Sequence, residues 1–154
     1  MKYILKKIIV HIDGAAKGNP GPAGIGIIFQ NESRQIIKEI SNFIGNRTNN
    51  QAEYEALITA LSTLEEMRKD GHISHNTEII IKTDSELLFN QINGYYKIRN
   101  RQLQGLFFEA MWLKNQWRNL KIIQVPREEN RASDKLAKNA IKSYLKNQIK
   151  TKSI

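Results

Sequence analysis

The sequence predicts a single α/β domain built on a mixed β-sheet, and three observations predict it. Over the first 44 residues, apolar β-branched runs alternate with short turns, as an antiparallel meander requires. The pattern then changes to helical spacing, with Leu57, Ala60, Leu61 and Leu64 recurring on one face. A further β-branched run follows that helix, and such a crossover lets it pair in parallel with the first strand.

The elements follow in order. Lys7-Ile8-Ile9-Val10-His11-Ile12-Asp13 reads as a buried strand, and the Gly/Asn/Pro cluster from Gly14 to Pro22 reads as the turn behind it. This places Asp13 at the strand's end. Residues 23–29 and 35–44 read as two more strands around the turn Asn31-Glu32-Ser33. Residues 50–69 read as a helix, rich in Ala, Leu, Glu and Met. Glu53 stands four residues before Leu57 and so projects from the apolar face. Glu78-Ile79-Ile80-Ile81-Lys82-Thr83-Asp84 is a second apolar strand with an acid in last place, and Ser85 starts a helix. Residues 100–117 form an amphipathic helix, 121–125 a short strand stopped by Pro126, and 131–146 a last helix with Leu136, Ala137, Ala140, Ile141 and Tyr144 inward. Asp134 lies on the border of that inward face. Trp112 and Trp117 read as core anchors, and so does one of Tyr95 and Tyr96. Residues 1–146 are read as one domain, with 147–154 a frayed basic tail.

Composition narrows the function classes. The chain of 154 residues has no cysteine, which excludes disulfides and thiolate metal sites. A metal would need oxygen or imidazole ligands, favouring a hard cation such as magnesium. Residues 8–12 are too short for a signal sequence, and no apolar run reaches membrane-spanning length, so a cytoplasmic protein with no membrane partner is expected. The net charge of +9 points to an anionic partner, nucleic acid first. That surplus gathers late, where nine Lys and Arg residues from Lys121 to Lys152 meet only Glu128, Glu129 and Asp134. The glycine turn lacks the Gly-Lys-Ser/Thr ending of a nucleotide-binding loop.

Asp13, Glu53, Asp84 and Asp134 thus come from two strand ends and two helix starts that one compact domain can bring together. Unaided they would repel, and some would hold protons. Two divalent ions about 3.5–4 Å apart would resolve that conflict and could act on a phosphodiester. Each acid singly has a simpler reading: Asp84 could cap the helix behind it, and Glu53 could answer a helix dipole.

Four motifs carry a resemblance: His11-Ile12-Asp13-Gly14-Ala15-Ala16-Lys17-Gly18-Asn19-Pro20-Gly21, Thr48-Asn49-Asn50-Gln51-Ala52-Glu53, Thr83-Asp84-Ser85 and Asn130-Arg131-Ala132-Ser133-Asp134. In this order, from about residue 8 to residue 140, the chain resembles type 1 ribonuclease H, most of all its compact branch. The resemblance implies a ribonuclease H-like fold, a five-stranded mixed sheet in the order 3-2-1-4-5 flanked by helices. It also implies a monomeric endonuclease that cleaves the RNA strand of RNA–DNA hybrids with two Mg2+ ions, Mn2+ also serving, and leaves 5′-phosphate and 3′-hydroxyl ends. Asp13 would then bridge both metals, Glu53 and Asp84 would complete the site of one, and Asp134 would help hold the other near the attacking water. Asn19, Asn49 and Gln51 match positions that touch the hybrid's minor groove, and Thr48 matches a threonine that binds a DNA phosphate. Asn49 or Asn50 could instead cap the following helix.

Two departures stand out. Where many bacterial members carry a histidine before the last aspartate, this chain has Arg127, which cannot act as a base at neutral pH and is assigned to phosphate or leaving-group stabilisation; pairing with Glu128 or Glu129 is the alternative. The basic handle is also missing, leaving Tyr95 or Tyr96 with Lys97, Arg99 and Arg101 as a reduced phosphate channel. A hybrid-binding module of the same fold without catalysis is the competing function, against which stand the four acids, since a binder has no need to hold repelling carboxylates together. A detached reverse-transcriptase ribonuclease H domain would share the chemistry.

Overall fold

The computed structural model describes residues 3–152. Its elements are β1 (Lys7–Ala16), β2 (Gly21–Gln30), β3 (Ile36–Arg47), α1 (Asn49–Lys69), β4 (Glu78–Thr83), α2 (Glu86–Ile92), α3 (Arg101–Lys114), β5 (Leu120–Gln124), a 3-10 turn (Arg127–Glu129) and α4 (Arg131–Lys152). The five strands form one mixed sheet in the order β3-β2-β1-β4-β5, as the resemblance implies. β1, β2 and β3 are antiparallel, and the crossover through α1 lays β4 parallel to β1. β5 pairs in parallel with β4.

One strand departs from expectation in a way that shapes the site. β1 does not end at Asp13: Gly14, Ala15 and Ala16 go on pairing with Ile25, Gly24 and Ala23 of β2. Its ladder with β4 stops earlier, at His11↔Lys82. Asp13 therefore sits where β1 keeps β2 on one side and has lost β4 on the other. This notch at the carboxyl end of the parallel strands is where α/β sheets present ligands.

Residues along β1 alternate between the two faces of the sheet. A Cβ on Gly14 would lie 2.2 Å from the Ala52 carbonyl group, so α1 packs directly on the backbone of that face. On the other face Gly26, the cross-strand partner of Asp13, leaves room for α4: a Cβ there would fall 2.0 Å from the Ser133 carbonyl oxygen. The core fills the α1 side. Ile8, Val10 and Ile12 of β1, Ile79 and Ile81 of β4, and Tyr54, Leu57, Leu61 and Leu64 of α1 are all essentially inaccessible. Each such aliphatic side chain contributes roughly 1.5–3 kcal/mol by burial. The Tyr54 hydroxyl donates to Gln91 Oε1 at 2.7 Å and ties α1 to α2.

α4 lies on the opposite face with Ala137, Ala140 and Ile141 buried, and Tyr144 stacks on Phe43 of β3 with ring centroids 3.8 Å apart. Its helix runs to Lys152, past the expected end at 146, so the start of the predicted tail is helical. Trp117 is a core anchor, but Trp112 is 67% exposed. Leu103 and Ala110 set the inward stripe of α3, with Leu106, Phe107 and Met111 leaning on the core. Trp112 falls one step further round, on the outer face with Phe108. Tyr95 and Tyr96 are also exposed rather than at a core edge. They stand in the short loop between α2 and α3. No helix among the described residues is long and apolar enough to cross a membrane.

Candidate active site

Asp13, Glu53 and Asp84 converge at the notch. Each offers a carboxylate oxygen, and these oxygens all lie within 4.8 Å of one another. Asp13 is 5% exposed and Glu53 7%, while Asp84 is half-buried. The backbone amide of Gly14 donates to Glu53 Oε1 at 2.7 Å. The other oxygen, Glu53 Oε2, is buried with no hydrogen-bond partner. Asp134, in the first turn of α4, raises the Asp13 carboxyl further from the α4 side but stands outside the three-acid cluster, and its Oδ2 receives Lys138 Nζ at 3.0 Å.

Electrostatics make this a site under tension. Burial first, then the Glu53 charge, pushes the Asp13 carboxyl up to about 10. Burial pushes Glu53 up to about 7, against the opposing pull of the Gly14 amide. Asp84 is raised by its own burial, and the nearby Arg127 guanidinium and the Asn130 side chain hold back that rise. Carboxyls that resist ionising, with an orphaned buried oxygen at their centre, form an oxygen-rich donor set suited to a hard divalent cation. The residues fit such an ion: positive charge and a partner for the lone pairs of Glu53 Oε2 are what the cluster lacks.

The local sequence explains why the acids arrive there. α1 begins with a capping box: Thr48 Oγ1 accepts the Gln51 amide at 3.1 Å, and Gln51 Oε1 accepts the Thr48 amide at 2.9 Å. The cap is thus Thr48, not Asn49 or Asn50, and it fixes the rotation of α1 that turns Glu53 toward Gly14. On the other face, the Asn130 side-chain amide donates to the Ile12 carbonyl at 2.8 Å, one residue before Asp13, and the Ser133 hydroxyl donates to Asn130 Oδ1 at 2.8 Å. Both are buried. This pair pins the start of α4, and with it Asp134, to β1. Neither residue was singled out as a site residue from the sequence, although Asn130 just before a helix and Ser133 three positions on form a readable polar pattern.

The other sequence-derived candidates ring this cluster. Asn19 Oδ1 accepts the Asn49 amide at 2.9 Å, and Asn49 Oδ1 accepts the Ala16 amide at 2.9 Å. Gln51 Nε2 donates to Gln102 Oε1 at 2.7 Å. Thr48, Gln51 and Gln102 line a groove of about 580 Å³ with Pro20, Asn46 and Arg47. Arg127 is exposed, forms no ion pair with Glu128 or Glu129 among the described residues, and acts electrostatically on Asp84.

Comparison with known proteins agrees with this geometry. The model of the reverse transcriptase-like family matches residues 11–140. LC11-RNase H1, isolated from compost by a metagenomic approach, superposes with a TM-score of 0.85 at 39% identity, over 92% of this chain and 99% of that one. The same enzyme in complex with an RNA/DNA hybrid gives a TM-score of 0.82 at 40% identity, over 90% and 99% of the two chains. Ribonuclease HI of Halobacterium salinarum is 33% identical over 88% of this chain and 64% of its own length. The bifunctional protein Rv2228c of Mycobacterium tuberculosis is 34% identical over 88% of this chain, which spans only 35% of that relative. On a family match that runs from the first site strand into the last helix, and a 39% identical neighbour that superposes over 99% of its chain, the chain belongs to the reverse transcriptase-like family and, within it, to type 1 ribonuclease H.

Proposed function

We propose that this protein is a cytoplasmic, monomeric endonuclease that hydrolyses the RNA strand of RNA–DNA hybrids with two Mg2+ ions, Mn2+ also serving, and leaves 5′-phosphate and 3′-hydroxyl ends. The observation that carries the reading is the convergence of Asp13, Glu53 and Asp84 around the unpartnered Glu53 Oε2, with Asp134 alongside. Asp13 would serve as the ligand common to both ions, Glu53 and Asp84 would complete one site, and Asp134 would help hold the other. When bound, the ions supply a water of lowered pKa and neutralise charge on the phosphate.

The chain's own residues do the rest. Asp134, half-buried at the start of α4 with Lys138 on its Oδ2, would stand near the attacking water. Arg127, with its charge beside Asp84, stabilises the scissile phosphate or the departing 3′-oxygen. Asn19, Asn49 and Gln51 use their carbonyl oxygens on backbone amides, so the amide N–H groups of Asn19 and Asn49, and the one of Gln51 not spent on Gln102, remain for substrate. Minor-groove base edges and 2′-hydroxyls offer acceptors to such donors. Thr48 Oγ1 accepts the Gln51 amide and keeps its own proton to donate to a DNA phosphate.

The test is cleavage of an end-labelled RNA–DNA hybrid by wild type and Asp13→Asn, with magnesium, with manganese and with chelator. Wild type cuts only the RNA strand and only with metal, and Asp13→Asn falls by about a thousand-fold or more, as expected for a ligand contributing several kcal/mol to the transition state. Binding of the hybrid without metal-dependent cleavage would overturn the enzyme reading in favour of a silent module.

A further inference from the structure

A second cleft borders the acid cluster on the α4 side and has no role in the reading above. It holds about 280 Å³ between the end of β1 and α4, with Ile141 and Leu145 as its floor and Lys17, Lys138 and Lys142 around its rim. No carboxylate lines it. Lys17 and Lys142 form no ion pair among the described residues, whereas Lys138 joins the cleft to the acid cluster through Asp134.

The cleft opens a longer track. Lys138, Lys142, Lys146 and Lys150 recur every fourth residue along α4, all exposed, and Asp134 stands in the same register one step before them. Between Arg131 and Lys152 that aspartate is the only acid. Lys17 and Lys142 share the cleft without a counter-charge and repel one another, which favours an anion between them, whereas Lys138 is answered by Asp134. Lys142 lies about 12 Å along the helix axis from Asp134, the distance of three to four nucleotides at roughly 3.4 Å per step of one strand.

We propose that Lys17, Lys138 and Lys142 bind backbone phosphates of the nucleic acid whose scissile bond lies at the acids, with Lys146 and Lys150 extending the contact. The inference rests on the nuclease reading of the acid cluster and supplies a grip that the missing handle would otherwise give. A nucleic-acid backbone fits better than an anionic membrane, because an interfacial helix needs a free apolar face. Here Ala137, Ala140 and Ile141 are spent against the sheet.

The experiment measures binding of a labelled RNA–DNA hybrid of roughly 20 base pairs across a salt series, in the Asp13→Asn background so that the hybrid survives. Lys17→Ala/Lys142→Ala is compared with Lys69→Ala/Lys121→Ala, which removes the same charge elsewhere. Lys138 is left intact because it touches Asp134. The cleft pair should weaken binding by about tenfold and lower the slope of log K against log salt by about 1.4–1.8, and the control pair should do neither. Equal changes in both pairs would reduce the effect to net charge and overturn the proposal, as would an unchanged slope. Tight binding to vesicles rich in anionic lipid, lost in the cleft pair while hybrid binding stays, would overturn it in favour of a membrane surface. Failure of the nuclease reading is separate: wild type would then cut no hybrid at all, whatever the lysines do.

Discussion

The acid cluster and the groove beside it are built on opposite principles. At the cluster, Asp13 and Glu53 are buried, raised in pKa and left with an orphaned oxygen. In the groove, Thr48 and Gln51 satisfy each other in a capping box, and Asn19 and Asn49 bond backbone amides. Folding accounts for the second set of residues and works against the first. An arrangement that the folded chain holds at a cost points to a ligand, whereas one that helps the fold can serve a ligand only through the valences left over. Substitutions in the two regions should therefore move stability in opposite directions while both lower activity.

The largest effect belongs to Glu53→Gln. Turnover should fall by about a thousand-fold, while the metal-free protein becomes more stable, because a neutral amide keeps the Gly14 bond and no longer resists burial. The sign follows from linkage. Asp13, Glu53 and Asp84 are all raised in the folded state, so the native protein binds their protons more tightly than the unfolded chain does. Their contribution to stability is complete below the unfolded values near pH 4 and is lost as pH rises through about 7 for Glu53 and about 10 for Asp13. Thermal melts in chelator should show wild type losing stability between about pH 5 and 8, with a shallower loss in Glu53→Gln. Millimolar magnesium should restore most of it in wild type only. Equal slopes for the two proteins would mean that Glu53 ionises freely and that the tension is misread.

Arg127→Ala comes next, at about a tenfold loss of turnover with the melting temperature unchanged, since the side chain is exposed and buries no partner. Its charge now pulls the Asp84 carboxyl down. Removing it also removes a cation that competes electrostatically with a metal on Asp84, so the magnesium concentration for half-maximal rate should fall even as the rate does. A rise in that concentration would assign Arg127 to holding the acids in place.

How much of this was legible in the sequence differs by region for a physical reason. The antiparallel meander and the parallel pairing of β4 with β1 followed from turn lengths and one crossover, the full strand order came only with the family resemblance, and the four acids stood out because carboxylates beside β-branched runs demand a partner. Gly14, Ala15 and Ala16 carry no strand propensity of their own, so the continuation of β1 past Asp13, paired only with β2, could not be read. The second half of α3 crowds Phe107, Phe108, Met111, Trp112 and Leu113 together on more than one face, so periodicity could not choose which aromatic faces out. The bond from Asn130 to the Ile12 carbonyl spans 118 residues, and no local pattern encodes it.

Thr48 gives the smallest effect and the sharpest separation, because its hydroxyl has two duties that different replacements keep apart. As the N-cap it accepts the Gln51 amide, and Thr48→Ala should cost about 1 kcal/mol of stability together with a several-fold rise in KM for the hybrid. Thr48→Ser keeps both the acceptor and the donor and should leave both properties close to wild type. Thr48→Asp is the informative variant. Aspartate caps a helix as well as threonine does and favours its positive end, so the melting temperature should hold or rise. Its carboxylate has no proton to give a phosphate and repels one, so KM should rise more than in Thr48→Ala. If Thr48→Asp matched wild type in KM, the hydroxyl would be a cap and nothing more, and the groove would have to recognise substrate through Asn19, Asn49 and Gln51 alone.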